Sequence, residues 1–197
     1  MSRRGRRIGV LGGAFDPPHI GHMVIAQEVR WRLGLDELLL IPVGEPPDRV
    51  GLAFDATTRA RMVERAVDGY PGVRCSRIEV DRPGPSFTID TLEAIADGEP
   101  GAEIWFALGA DRLPTFPRWH LPHRILELAR LAVVSRSGMS EGDLTALAER
   151  IAPGRWDVVE VPTIGVSSTM IRERIATGAP FEALVPSGVG EILRERA

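Results

Sequence analysis

The stretch Ile8-Gly9-Val10-Leu11-Gly12-Gly13-Ala14-Phe15-Asp16-Pro17-Pro18-His19-Ile20-Gly21-His22 decides the fold. A short apolar run of strand character stops at two glycines, and a helical pattern over 21–33 starts where the histidines stand. That helix carries Ile25 and Val29 on one face and meets Gly34 just past its end, the position where a helix commonly turns left-handed. Two glycines at a strand end let the backbone approach a ligand closely, and the following helix N-terminus offers free amides and the positive end of a dipole. Both features suit phosphate. His19 and His22 lie three apart, so at the start of a helix their imidazoles share a face and can donate to one anion.

The same strand-then-helix order recurs along the chain. Leu38–Val43, Val73–Val80, Ile104–Leu108, Leu131–Val134 and Val158–Val161 read as further strands, most of them too continuously apolar to face water on one side. Helical patterns separate them near 56–68, 89–97, 122–129, 143–152 and 168–177, with a last one near 187–196. Strand and helix in alternation predict a parallel sheet with right-handed crossovers. The expectation is a single α/β domain over 1–197, a doubly wound Rossmann-like parallel sheet flanked by helices, with residues 1–7 as a flexible basic tail. Its ligand crevice should lie at the carboxyl ends of the strands.

Composition removes several function classes. The 197 residues include 24 basic side chains, all of them Arg, with no Lys, no Asn and one Gln, Gln27. Schiff-base chemistry and the phosphate-loop NTPases, both of which need a lysine, drop out. The net charge of −3 argues against a nucleic-acid footprint. The single Cys75 reads as a buried structural thiol and suits a cytoplasmic protein. The basic start up to Arg7 is similar to a twin-arginine export signal, but the apolar run breaks at Gly12-Gly13, and no run approaches membrane-spanning length. Zinc would need three or four ligands, and Cys75, His120 and His123 have no matching spacing to His19 and His22, so no metal site is expected. A hydride-transfer enzyme would want Gly-x-Gly-x-x-Gly in the first turn, which is absent.

Near the other end, Val166-Ser167-Ser168-Thr169-Met170-Ile171-Arg172 places hydroxyls where a helix cap is wanted and an arginine one turn later. Joined to the histidine turn, two helix N-termini, two imidazoles and a guanidinium make a polyphosphate site without a lysine.

These two segments resemble the paired signatures of the nucleotidyltransferase superfamily, and the chain is most similar to bacterial nicotinate-nucleotide adenylyltransferases. Supporting the resemblance are Pro42-to-Arg49, Pro85-to-Thr91, Leu108-to-Asp111, Phe116-to-Trp119 and the ending Arg174-to-Pro186, so that it runs from about residue 8 to 192 in order. The resemblance implies transfer of the adenylyl group of ATP to nicotinate mononucleotide, giving deamido-NAD and pyrophosphate. It implies that His19 and His22 contact the ATP phosphates and that Arg172 holds the triphosphate with Ser168 and Thr169. Gly12, Gly13, Ala14 and Phe15 would line the nucleotide, with Gly109 and Asp111 near adenosine. Asp16, Arg49, Thr88, Trp119 and His120 would serve the mononucleotide, Trp119 stacking on the pyridine ring and the backbone around Thr88 and His120 receiving its carboxylate. Mg2+ would accompany ATP, the partners would be these small molecules, and self-association into a homo-oligomer stays open.

Two stretches depart from the family pattern. Asp48-Arg49 stands where the family has His-Lys, so Arg49 must supply the loop's positive charge. Ser86-Phe87-Thr88 replaces Ser-Tyr-Thr, losing a phenol hydroxyl and keeping the ring. The alternatives these leave are an adenylyltransferase for nicotinamide mononucleotide or phosphopantetheine, and a nucleotide sensor without turnover.

Overall fold

The computed structural model describes residues 5–47, 51–135 and 140–195. Six strands form one sheet: β1 (Arg7–Gly13), β2 (Glu37–Pro42), β3 (Val73–Cys75), β4 (Glu103–Gly109), β5 (Ala129–Ser135) and β6 (Trp156–Glu160). All pairings are parallel, in the order β3-β2-β1-β4-β5-β6. This is the doubly wound arrangement expected from the alternating pattern, and its order reverses between β1 and β4.

Period-2 alternation along the strands builds two cores. Leu38, Leu40, Trp105, Ala107, Ala132 and Val134 face the layer of α1 (Ile20–Arg32), α2 (Ala56–Ala66), α6 (Ser168–Thr177) and α7 (Ser187–Arg194). Leu39, Ile41, Ile104, Phe106, Leu131 and Val133 face α3 (Thr88–Gly98), α4 (Pro122–Leu128) and α5 (Glu141–Ile151). Both faces are covered, which explains the near-continuous apolar runs. Each such Leu or Ile contributes about 1.5–3 kcal/mol by leaving water.

Local signals set the helix ends. Gly34 takes φ +57° after α1, and the Leu35 amide reaches back to the Arg30 carbonyl at 2.9 Å, closing the helix with a left-handed residue. Asp55 caps α2 by accepting the Thr58 amide at 2.8 Å, and Ser167 caps α6 through the Met170 amide at 3.2 Å.

Two expectations change. The strand over 73–80 is only Val73–Cys75, because the chain turns after Ser76 and carries Glu79 inward. The basic tail over 1–7 does not reach Arg6 and Arg7. Arg6 pairs with Glu37 at 3.1 Å and Glu99 at 2.5 Å, while Arg7 begins β1 with its guanidinium 4.5 Å from the Trp105 ring centre. The Cys75 Sγ lies 3.8 Å from the Ala60 carbonyl, and burial pushes its pKa up to about 12, as a structural thiol requires. Among the described residues, no helix is long and apolar enough to cross a membrane.

Candidate active site

The switch point between β1 and β4 opens at the carboxyl ends of the strands, and β1 delivers the histidine turn there. His19 is the extended residue that starts α1, with φ −143° and ψ 172°. Its amide donates to Nδ1 of His22 at 3.1 Å, and the His22 amide donates to the His19 carbonyl at 2.9 Å. An accepting Nδ1 carries no proton, so the neutral His22 ring bears its hydrogen on Nε2. The two ring centres are 3.8 Å apart at 32°, which realises the shared face read from the spacing. A side chain at Gly21 would press on the His19 ring at 3.0 Å, so glycine there permits the pairing.

Phe15 and Asp16 are both enclosed beneath the turn. Phe15 has φ +49°, uncommon for a bulky residue, and its ring is 2% exposed, edge-on to His22 at 4.9 Å. Asp16, followed by a cis bond to Pro17, is 4% exposed and uses its carboxylate inside the protein. Oδ2 accepts the Ala53 amide and Oδ1 the Phe54 amide, each at 2.9 Å, and Arg172 Nη1 stands 3.6 Å away. Asp16 therefore anchors the segment before α2.

The C-terminal segment closes on the same turn. Arg172 donates through Nη1 to the Asp16 carbonyl at 2.6 Å and through Nη2 to Thr169 Oγ1 at 3.1 Å, and Ser168 Oγ donates to the Pro17 carbonyl at 2.8 Å. The N-termini of α1 and α6 thus converge, as the pairing of the two segments required. Ser168 and Thr169 act here first as braces on the histidine turn and on Arg172.

On the other side, Ser86 Oγ accepts the Gly44 and Glu45 amides at 3.1 and 3.3 Å, and the Ser86 amide donates to the Glu45 carbonyl at 2.8 Å. These bonds join the segment after β2 to the start of α3, where Thr88 is the first helical residue. The Phe87 and His120 rings lie 4.6 Å apart. Trp119 is half-buried against Phe106 and Phe116, with ring centres at 5.8 and 5.6 Å. It is an aromatic at the edge of the core. Gly109 ends β4, and the exposed Asp111 folds its carboxylate against the Gly109 backbone. Arg49 and Asp48 lie outside the described residues.

A family model described as cytidylyltransferase-like matches residues 10–174. A Roseiflexus sp. (strain RS-1) protein named "Probable nicotinate-nucleotide adenylyltransferase" is 45% identical over 186 residues, 92% of each chain. A protein of the same name from Dehalococcoides mccartyi (strain ATCC BAA-2266 / KCTC 15142 / 195) is 39% identical over 194 residues, 96% of this chain and 95% of that one. This chain belongs to the nicotinate-nucleotide adenylyltransferase family. Its fold is also that of Plasmodium falciparum nicotinic acid mononucleotide adenylyltransferase solved with NaAD, at TM-score 0.77 and 14% identity over 97% of this chain and 96% of that one.

Beneath the family's signature turn lies a polar cluster that the motif reading missed. Arg59 of α2 is 1% exposed and donates to the carbonyls of Phe54, Ala14 and Gly44 at 3.1, 2.9 and 3.2 Å. Burial lowers its pKa, opposed by the charges of Asp16, Asp55 and Glu79. Glu79, also buried, accepts Thr91 Oγ1 at 2.8 Å, and a side chain at Gly44 would overlap the Glu79 carbonyl. Burial drives the Glu79 carboxyl above its ordinary pKa, against hydrogen bonds from Thr91 and Ser86 and the charges of Arg82 and Arg59. A sequence signal existed: Arg59, Met62, Val63 and Ala66 occupy one apolar stripe of α2, and only the first is charged.

Asp16→Asn presents an NH2 group to one of the two amides at 2.9 Å and should cost about 1–3 kcal/mol. An unchanged denaturant midpoint would count against the anchoring role. With its pKa raised in the folded state, Glu79 binds a proton more tightly folded than unfolded. Its contribution is present below the unfolded pKa and is lost as pH rises through the folded one. Glu79→Gln should therefore gain on the wild type as pH rises above the ordinary glutamate range in chemical unfolding, whereas a gap that does not vary with pH would refute the shift.

Proposed function

We infer that this protein transfers the adenylyl group of ATP to nicotinate mononucleotide in the cytoplasm, forming deamido-NAD and pyrophosphate in NAD biosynthesis. The observation that carries the reading is the paired imidazoles of His19 and His22 at the start of α1, braced by Ser168 and Arg172 of α6, in a chain of this family.

The mononucleotide phosphate is already a nucleophile, so the protein needs alignment and charge neutralisation and no covalent catalyst. A phosphate oxygen of the mononucleotide bonds to the α-phosphorus, the bond from that phosphorus to the bridging oxygen breaks, and pyrophosphate leaves with its electrons. His22, with its hydrogen on Nε2, donates to phosphate oxygens as charge builds, and His19 lies beside it at ring distance. Arg172 adds a fixed positive charge on the triphosphate side, held by Asp16 and Thr169. Backbone around Gly12 to Phe15 accommodates the nucleotide, with Gly109 and Asp111 toward adenosine. Among the described residues no group of three or more His, Cys, Asp or Glu side chains converges on a metal position. A divalent cation, read here as Mg2+, would accompany the triphosphate and screen its charge.

Acid recognition falls to the first turn of α3. Amides at Thr88 and the positive end of that helix favour a carboxylate over a carboxamide, with His120 and Trp119 bordering the same side. Arg49, the positive charge of that stretch in the sequence, would also serve the mononucleotide.

Pyrophosphate release with Mg2+ and ATP should be much faster with nicotinate mononucleotide than with the nicotinamide form, and absent with phosphopantetheine. Equal rates with the first two would refute acid selectivity, and no release with any would favour the sensor. His22→Ala should lower kcat by roughly 100-fold. A raised KM with unchanged kcat would instead give His22 a uniform binding role.

A further inference from the structure

The crevice has a phosphate side and a mononucleotide side, and one enclosed side chain bonds to both. Arg59 Nη1 donates to the carbonyl of Ala14, in the turn that leads to His19 and His22, at 2.9 Å. Nη2 donates at 3.2 Å to the carbonyl of Gly44, whose segment Ser86 joins to Thr88. Nε donates at 3.1 Å to the carbonyl of Phe54, whose amide is held by Asp16. None of the three carbonyls belongs to a helix or strand. A guanidinium is planar, and its donors diverge in a rigid fork, so the three carbonyls are fixed relative to one another.

Peptide planarity extends the effect. In a trans peptide the N–H points opposite to the preceding carbonyl, so the Ala14 bond turns the Phe15 N–H away from the buried guanidinium. The Gly44 bond likewise turns the Glu45 N–H toward Ser86 Oγ, where it is found at 3.3 Å. Arg59 at 1% exposure cannot touch substrate, and its influence passes through these backbone groups.

We propose that Arg59 is a positioning residue for adenylyl transfer, setting through Ala14 and Gly44 the separation of the phosphate-binding turn from the mononucleotide-binding segment. Attack then occurs along the line of the breaking bond, because the segments that hold the two anions are fixed to one rigid fork. The assignment rests on the adenylyl-transfer reading of the same site.

The test uses Arg59→Lys, which keeps the charge and loses the fork, and Arg59→Gln, which loses both but removes a buried charge. Steady-state kinetics are run well below each variant's melting midpoint, with near-UV circular dichroism as the check on folding. Arg59→Gln should lose about 100-fold in kcat/KM, with KM raised for ATP and mononucleotide together, and Arg59→Lys should recover part of that loss. Magnesium–ATP dissociation constants from calorimetry should rise in the same order. A folded Arg59→Gln with wild-type kcat and both KM values would overturn the proposal, as would failure of both variants to fold, which would mark Arg59 as a stabilising residue only. If the wild type binds magnesium–ATP without turning over, the reaction reading fails, and Arg59 is then judged by the calorimetric series alone.

Discussion

An arginine side chain with 1% exposure is the constraint around which the carboxyl-end loops are arranged. Taking a guanidinium out of water is costly, and Arg59 persists there because three carbonyls accept from it and three carboxylates lie within electrostatic reach. The carbonyls benefit reciprocally, since each is a buried or half-buried acceptor outside the sheet and helix ladders. Asp16 works from the opposite sign, accepting two amides of the segment before α2 and standing beside Arg172. Between them, these two residues tie together the turn after β1, the segment after β2, the entry to α2 and the start of α6.

That tying turns a generic doubly wound sheet into a site. A switch point supplies only an opening and helix N-termini. Selective chemistry needs the amino ends of α1 and α6 to face one region, and the bonds from Ser168 to Pro17 and from Arg172 to Asp16 impose this across about 150 residues of chain. In a chain without lysine, helix N-termini, imidazoles and an arginine are the groups gathered there. Phe15 illustrates the cost of the arrangement. Its left-handed backbone is tolerated because its ring is enclosed and the preceding carbonyl is bonded by Arg59.

The strands were legible because both faces of the sheet are covered, which makes apolar runs long and unbroken. Legibility failed at the sheet edge, where Val73-to-Val80 has the composition of a strand but pairs over three residues only. Hydrophobicity there reflects inward packing of a turn as much as pairing. The signature residues were legible as chemistry, and His19, His22, Ser168, Thr169 and Arg172 do gather in one place. Their mutual dependence was not legible. Asp16 has the composition of a ligand contact, yet its oxygens are filled by amides 37 and 38 residues away. Arg59 was overlooked because a charge on an apolar stripe is read as a boundary of that stripe unless its partners are known.

The sequence by itself determined the sheet-and-helix alternation, the phosphate-binding turn, the exclusion of lysine chemistry and the family, because each follows from local pattern or residue identity. Only the tertiary structure decided which polar residues reach the surface at the strand ends and which are buried among the loops there. A carboxylate or guanidinium has the same composition in either role. The difference lies in whether its hydrogen-bonding capacity is already filled by backbone brought from distant parts of the chain, and only folding brings that backbone within reach.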